Sequence, residues 1–353
     1  MALVSGGLPQ SLRRNDYSLD EHQETVQEAF ADFFTSLVPS SVVRAAEPLG
    51  FDSELWRKAK ETGVVSMAVP EARGGDGATL IDLVLVAEQY GARLAPIPLV
   101  EAIAAARLLA GVNGEVAESL LVKVLAGQSL VTLALQPVAE QARVLMPAGA
   151  IADAALVLRG DELVVVSAPT SPVRVDNLAH APLAWWDVSN GETVGRGPSV
   201  AEAYDEAVRV WKLLTAAALG GSGGTAVALG VDFASSRKAF GQFIGTFQAM
   251  SHSLVDAKIL VAGSTNLTRK AAWYMENEPQ AERGLVLKAF LSAGRAAVKA
   301  STVGIHVQGG FGFTNESDMT LHFGRAKGWP LLAGRPTEDL LAVADTLPDP
   351  ASL

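Results

Sequence analysis

The chain has 353 residues, 49% of them hydrophobic and 19% charged, which is typical of a globular protein with two or three structural units. It contains no cysteine, and this excludes disulfides, thiolate catalysis and cysteine-ligated metal sites. The 28 basic and 38 acidic residues form no basic stripe, so neither a nucleic acid nor an anionic membrane surface is expected as partner. The five histidines are far apart and predict no metal site.

The N-terminus and the apolar runs carry no targeting or membrane signal. Residues 1–16 have no long apolar core before a cleavage site, so we expect no signal peptide. Charges such as Asp82, Glu88 and Lys123 interrupt the apolar runs well before the roughly 18 residues that a membrane span needs. We therefore expect a cytoplasmic protein without a membrane span.

Residues 1–128 are predicted to form an N-terminal all-α domain. Phe30 and Phe34 belong to a set of apolar residues that recur at helical steps, as on one buried helix face. Asp52 is placed to cap a helix. A loop rich in glycine then precedes a long apolar helix that we expect to begin near Thr79.

Residues 129–200 are predicted to form a small, reduced middle β domain. Short runs rich in β-branched and apolar residues begin at Val131, Ala154 and Leu163, with turn residues between them. Gly160 and the aspartate after it separate the last two runs, and this pair predicts a β-hairpin.

Residues 201–353 are predicted to form a C-terminal four-helix bundle, because apolar residues from Phe247 to Val261 repeat with helical spacing. Residues 216–225 consist almost entirely of very small side chains. They could form a glycine-rich phosphate loop, but no strand precedes them and no Lys-Ser/Thr pair follows. We therefore favour a helix whose small residues let a neighbouring helix or a bound ring approach closely.

Three local motifs occur in a fixed order. Residues 51–58 (Phe-Asp-Ser-Glu-Leu-Trp-Arg-Lys) precede Ala-Val-Pro-Glu at 68–71. Residues 236–248 read Ser-Arg-Lys-Ala-Phe-Gly-Gln-Phe-Ile-Gly-Thr-Phe-Gln. Val-Gln-Gly-Gly-Phe-Gly-Phe-Thr at 307–314 is followed by Arg-Ala-Lys at 325–327. Together they resemble the acyl-CoA dehydrogenase family, which implies that family's fold and its cofactor, FAD.

The resemblance also implies cofactor-binding residues and an oligomer. In the family, the adenosine-diphosphate half of FAD lies across a subunit interface and is reached by residues of the neighbouring subunit. The matching positions in this chain are Arg237, Phe240, Phe247, Gln248, His306, Gln308, Gly309, Gly310 and Gly312.

These residue types suit a flavin dinucleotide. Arg237 offers a permanent planar cation for a pyrophosphate, Phe240 offers an apolar face, and glycines let backbone approach a nucleotide. One detail departs from the family pattern. His306 and Gln308 look exchanged, so either could make the adenine-side hydrogen bond.

The catalytic base of the family is missing at each position where the resemblance places it. Such enzymes use a glutamate to remove the α-proton of the acyl-CoA. The usual position holds Ala333, an alternative position on the first long C-terminal helix holds Trp211, and a third falls on Ala217 and Ala218. No catalytic residue is therefore assigned.

The middle domain also lacks the segments that contact the flavin ring in the family. No Gly-Ser-Asp follows Gln136-Pro137, and no Ile-Thr follows Trp185-Trp186. We expect the ring-end site to be absent. The resemblance therefore implies the base-lacking subunit of an actinobacterial α2β2 acyl-CoA dehydrogenase of the steroid type. Its expected partners are a catalytic subunit that carries the glutamate, an acyl-CoA substrate and electron-transfer flavoprotein as electron acceptor.

Two other interpretations remain open at this point. The chain could be an autonomous acyl-CoA dehydrogenase with a relocated base, for which Glu206 and Glu316 are the candidates. It could also be a flavin-free scaffold protein that kept the fold.

Overall fold

The computed structural model describes residues 18–138, 142–279 and 284–346. Residues 1–16, for which we expect no signal peptide, lie outside this part of the chain. The N-terminal region is helical, as predicted. Its α-helices are α1 (Glu21–Leu37), α2 (Ser40–Ala45), α3 (Ser53–Glu61), α4 (Leu80–Arg93), α5 (Leu99–Gly111) and α6 (Glu115–Leu125).

Two of these helices begin where local side-chain chemistry predicts. The Asp52 carboxylate accepts a hydrogen bond from the backbone N–H of Leu55 at 2.9 Å, which caps α3. At the start of α4, Thr79 and Asp82 cap each other's backbone N–H groups. Phe34 lies on the buried face of α1. The predicted cap at Asp52, the predicted helix start near Thr79 and the predicted buried face are confirmed.

The middle region forms two small sheets. Its strands are β1 (Val131–Leu133), β2 (Arg143–Met146), β3 (Ala154–Arg159), β4 (Glu162–Ser167), β5 (Val173–Arg174), β6 (Ala184–Asp187) and β7 (Glu192–Arg196). The strand orders are β1-β3-β4-β7 and β2-β6-β5. Arg159 pairs with Glu162 around Gly160, whose φ is +59°, so the predicted hairpin is confirmed.

The C-terminal region is again helical. Its elements are α7 (Pro198–Ser236), the hairpin strands β8 (Lys238–Ala239) and β9 (Gln242–Phe243), α8 (Gln248–Asn277), α9 (Leu285–Gln308), α10 (Met319–Gly328) and α11 (Pro336–Ala344). Helices α7 to α10 pack together as a bundle, and α4 packs against α7 from the N-terminal region. The predicted sequence of all-α domain, small β domain and helical bundle is confirmed.

The small-residue tract at 216–225 lies within α7, so it is a helix and not a phosphate loop. Its glycines let two backbones touch. A Cβ atom added to Gly221 would lie 1.9 Å from the carbonyl oxygen of Glu88 in α4. In the same contact, a Cβ atom on Gly91 would lie 1.9 Å from the carbonyl oxygen of Ala218. The tract therefore serves close helix packing, as the favoured interpretation predicted.

Judged by length and composition alone, α7 is also the one helix in the described ranges that could cross a membrane. However, 67% of its most apolar window is buried inside the fold. Its apolar character is therefore that of a core helix, surrounded by α4, α8 and α9.

Buried ion pairs tie the elements together. The Arg269 guanidinium donates two hydrogen bonds to the Glu88 carboxylate at 3.0 and 2.8 Å, which joins α8 to α4. Burial raises the pKa of Glu88. Lys212 donates to Asp339 at 2.5 Å, and this pair fastens the C-terminal helix α11 to α7.

Candidate functional site

An open groove of about 460 Å³ lies between the β domain and the turn at residues 329–333; we call it the interdomain groove. It brings together the segments that the sequence resemblance assigned to the flavin ring end. Gln136, Trp185 and Leu331 all line it. Space of ligand size therefore remains between these segments, and the expected absence of the ring-end site stays a prediction. None of the described residues that line the groove is an aspartate or glutamate.

Ala333 lies at the end of this groove and supplies only a backbone group. The Gln136 side-chain N–H donates to the Ala333 carbonyl oxygen at 3.2 Å. The next residue, Gly334, has φ of +110°, a backbone conformation that residues with a side chain rarely adopt. The usual base position therefore has no group that can remove a proton.

The other base positions lie on α7 and are fully buried. Trp211 has 1% of its surface exposed, and its indole N–H donates to the Glu101 carboxylate at 3.2 Å. Ala217 and Ala218 are buried as well. An indole that already donates its proton cannot serve as a general base.

The two relocated-base candidates lie away from the groove. The Glu206 carboxylate accepts a hydrogen bond from Arg107 at 3.0 Å, and 48% of its side chain is exposed. Glu316 is exposed on the loop before α10. Neither residue lines the groove or the cavity described next. A base must reach the substrate's α-carbon, so neither residue is placed to act on a ligand in either space. The relocated-base interpretation stays a hypothesis.

A second, smaller space of about 40 Å³ lies where all three regions meet; we call it the central cavity. Tyr90, Glu101, Thr215, His180 and the buried Arg325 line it together with apolar side chains. Burial raises the pKa of Glu101. Sequence reasoning missed this group. A lone carboxylate inside the apolar run of α5 was the available signal, because buried charges are rare unless they have a role.

The predicted adenosine-end residues begin on a tight hairpin after α7. Phe240 and Gly241 form its tip, with φ of +53° and +82°. The Phe240 ring is 95% exposed and packs edge-to-face on Phe247 at 6.2 Å between ring centroids. Arg237 is exposed beside the hairpin, and no described acidic residue forms an ion pair with it.

Helix α8 begins at Gln248, directly after Phe247. No side chain caps this helix start, and its first turn contains no acidic residue. The N–H of Met250 donates to the Phe247 carbonyl oxygen at 3.0 Å, but the N–H groups of Gln248 and Ala249 have no partner among the described residues. Free N–H groups at a helix N-terminus are the usual arrangement for binding an anion.

The glycine segment after α9 has two distinct parts. Gly309 has φ of +61°, and a Cβ atom on Gly309 or Gly310 would meet no atom within 4 Å, so the backbone is open here. Gly312 is buried instead, and its Cβ atom would lie 2.7 Å from the Ile305 carbonyl oxygen. Packing within the chain is therefore sufficient to require glycine at position 312.

The exchanged pair His306 and Gln308 differ in their surroundings. The Gln308 side-chain oxygen accepts a hydrogen bond from the Ser317 hydroxyl at 2.5 Å, so the acceptor of this amide already has a partner within the chain. His306 is exposed on the last turn of α9. His306 is therefore the freer of the two for an external hydrogen bond.

The hairpin and the glycine segment adjoin each other at one end of the bundle. Phe233, one turn before Arg237, stacks on Phe311 with ring centroids 6.1 Å apart and planes at 7°. Phe311 and Phe313 are 42% and 77% exposed. We call this surface, from Arg237 to Gln248 and from His306 to Phe313, the adenosine-end face. Its two exposed phenylalanines on the glycine segment were not singled out from the sequence.

Comparisons with known proteins match both helical regions of the chain. Residues 20–128 match the acyl-CoA dehydrogenase N-terminal domain and residues 203–344 match the acyl-CoA dehydrogenase C-terminal domain. The chain is similar to acyl-CoA dehydrogenase IpdE2 of Mycobacterium tuberculosis, with 28% identity over 91% of this chain and 95% of that protein.

Solved structures show the same fold. One is the ChsE4–ChsE5 complex from Mycobacterium tuberculosis, with a TM-score of 0.83, 23% identity, and coverage of 95% of this chain and 100% of that one. Another is the Tcur3481–Tcur3483 steroid ACAD, with a TM-score of 0.82, 24% identity, and coverage of 92% and 97%. With both of its helical regions matched in order, the chain belongs to the acyl-CoA dehydrogenase family.

Proposed function

We propose that this chain is the base-lacking subunit of an FAD-dependent acyl-CoA dehydrogenase and completes the FAD site of a partner subunit. The observation that carries the proposal is an asymmetry between the two ends of the site. Ala333 and Trp211 occupy the base positions, whereas Arg237 and the open backbone at Gly309 and Gly310 remain on the surface. A chain that kept only the second set can serve a flavin but cannot begin the reaction on its own.

The adenosine-end face fits an adenine dinucleotide in three ways. The exposed guanidinium of Arg237 suits a pyrophosphate, and the uncapped N-terminus of α8 adds backbone donors. The open backbone at Gly309 lets a nucleotide approach without a steric barrier. FAD, when bound, would accept a hydride from the acyl β-carbon while the partner's carboxylate takes the α-proton. The residues of this chain bind and orient the cofactor.

Oligomer formation is supported by exposed apolar side chains. Phe240 and Phe313 are 95% and 77% exposed, and both belong to the adenosine-end face. Exposed aromatic residues of this size are enriched where proteins associate. A partner that brings FAD to this face would bury both the rings and the cofactor.

The heteromeric form and the substrate class are proposed from similarity. The ChsE4–ChsE5 structure is a complex of two chains, and the Tcur3481–Tcur3483 structure is a steroid ACAD. We therefore propose an α2β2 assembly in the cytoplasm that desaturates an acyl-CoA with a bulky, steroid-derived acyl group. Electron-transfer flavoprotein is the proposed acceptor.

The test is expression of the full chain alone and together with a base-bearing acyl-CoA dehydrogenase subunit encoded beside it. Flavin absorbance and acyl-CoA oxidation are measured for each preparation. We expect both signals only after co-expression, and we expect Arg237→Ala in this chain to reduce the flavin content of the complex.

Two results would favour the alternative interpretations, an autonomous enzyme or a flavin-free scaffold protein. If the chain alone bound one FAD per subunit and oxidised an acyl-CoA, it would be an autonomous enzyme with a relocated base, for which Glu206 and Glu316 are the candidates. If neither preparation contained flavin, the scaffold interpretation would stand.

A further inference from the structure

The central cavity has polar groups that nothing in the described chain uses. The Tyr90 and Thr215 hydroxyls line it, and neither has a hydrogen-bond partner among the described residues, although both side chains are at least 92% buried. Hydroxyls that face a space without a protein partner are available to a polar ligand atom or to water.

Backbone strain is concentrated around the same space. Among the described residues, four that are not glycine have positive φ, and three of them, Leu94, Ala148 and His180, line this cavity. Left-handed backbone costs roughly 1–2 kcal/mol per residue relative to the usual conformation. Strain of this kind tends to cluster at ligand sites. The cavity is therefore more than a packing defect.

The central cavity borders the interdomain groove. Ala179 and Leu332 line both spaces, so these two side chains separate them. Their sizes differ greatly. The groove, at about 460 Å³, is within the range of ligand pockets, whereas the cavity, at about 40 Å³, has room for only a few water molecules.

Trp211 is the large side chain that fills the cavity from the side of α7. Its indole packs against Phe290 with ring centroids 6.2 Å apart, and its N–H is bonded to Glu101 at 3.2 Å. These two contacts, from α9 and α5, fix the ring in one orientation. It is also the side chain at a position where the family resemblance places a catalytic carboxylate.

We propose that Trp211 is a plug, held by Glu101, that closes a latent acyl-binding site between the three regions of this chain. The site would extend from the interdomain groove past Leu332 to the hydroxyls of Tyr90 and Thr215. Its occupant would be an apolar acyl group, with a carbonyl or hydroxyl oxygen accepting or donating at the two unpaired hydroxyls. The plug restricts acyl binding to the partner subunit.

This inference deepens the proposed function, because it explains how a base-lacking chain avoids binding the substrate unproductively. The assembly should therefore bind one acyl group for each base-bearing chain and no acyl group in the base-lacking chain. Replacing Trp211 by a small residue should add a second class of binding site.

The experiment compares Trp211→Ala with a matched control, Trp186→Ala, in the full chain or in the complex with its partner. Trp186 is also a fully buried tryptophan whose indole N–H is bonded, in this case to the Gly149 carbonyl oxygen at 2.8 Å. It lines neither the groove nor the central cavity. Indole and the N-acetylcysteamine thioester of hexanoic acid are the two probes, titrated by calorimetry.

Both variants should bind indole, which refills the space left by a deleted ring. Only Trp211→Ala should bind the thioester, at least about tenfold more tightly than the unmodified chain. Equal thioester binding by the two variants would overturn the proposal, and so would tight binding by the unmodified chain. If Trp211→Ala does not fold, Trp211→Leu carries the same test with a smaller loss of packing.

The role of Glu101 is tested separately. Glu101→Gln keeps an acceptor for the indole N–H and should leave the cavity closed. Glu101→Ala removes the acceptor and should increase both acrylamide quenching of tryptophan fluorescence and thioester binding. Identical behaviour of the two variants would show that Glu101 does not hold the plug.

Failure of this inference would not affect the proposed function. Flavin content after co-expression depends on the adenosine-end face, so a complex that carries Trp211→Ala should remain yellow. A colourless complex with an unmodified Trp211 would instead count against the proposed function.

Discussion

A single methyl group at Gly221 should separate two helices that the fold holds in contact. In Gly221→Ala, the added Cβ atom would lie 1.9 Å from the Glu88 carbonyl oxygen and 2.9 Å from the Ala92 backbone nitrogen. Ordinary contact begins at 3.4 Å, so α4 and α7 would have to move apart by about 1.5 Å. Overpacking of this kind typically costs about 1–3 kcal/mol, and here the obstacle is backbone, which cannot adopt another rotamer. We expect a loss at the upper end of that range or beyond it.

Gly224, one turn further along the same helix, is the matched control. A Cβ atom there would meet nothing within 4 Å, so Gly224→Ala should stabilise the helix by about 0.5–1 kcal/mol. Urea denaturation followed by far-ultraviolet circular dichroism measures both changes. If Gly221→Ala unfolded at the same urea concentration as the unmodified chain, the claimed backbone contact between α4 and α7 would be wrong.

The remaining predictions concern one charge, one histidine and one ion pair. Arg237→Ala should weaken FAD binding by the complex roughly 10- to 100-fold, which is the range expected for one charge-assisted hydrogen bond. The melting temperature of the complex should not change. An unchanged affinity for flavin would refute the role of Arg237 in binding the pyrophosphate. Burial lowers the pKa of His322 to about 3, so the imidazole binds a proton more readily in the unfolded chain than in the folded one. The free energy of unfolding should therefore fall as the pH drops below about 6.5, by up to about 1.4 kcal/mol per pH unit. Denaturation series at several pH values should show a flatter slope for His322→Gln. Asp339→Asn should leave Lys212 without its charged partner and accelerate hydrogen exchange throughout α11, while exchange in α9 stays unchanged.

Features that depend on neighbouring residues could be predicted from the sequence. The cap at Asp52 needs only a side-chain oxygen three residues before a free N–H group, and the start of α4 near Thr79 follows from the glycine-rich loop before it. The hairpin at Gly160 depends on a glycine that accepts positive φ between two β-rich runs. The helix at 216–225 depends on the absence of a preceding strand. Each of these is a local property, and each is confirmed.

Features that depend on distant residues could not be predicted. The ion pair of Glu206 is one example, because its partner Arg107 lies almost 100 residues earlier in the chain. Glu101 and Trp211 lie on different helices, and only the packed fold brings them within 3.2 Å. The glycine requirement at position 312 likewise arises from a carbonyl group seven residues away on α9, which the motif alone does not reveal.

The tip of the hairpin between α7 and α8 has a consequence for how fast this chain should associate with the proposed partner subunit. Phe240 is held there by two paired strands and by the Phe247 ring, although its backbone has the left-handed conformation that phenylalanine normally avoids. Ordering a flexible residue on binding would cost about 1–2 kcal/mol of backbone entropy. Here that cost is met during folding, so docking can proceed between rigid surfaces. Assembly of the two subunits should therefore follow bimolecular kinetics in a single phase, without a slow rearrangement after the encounter.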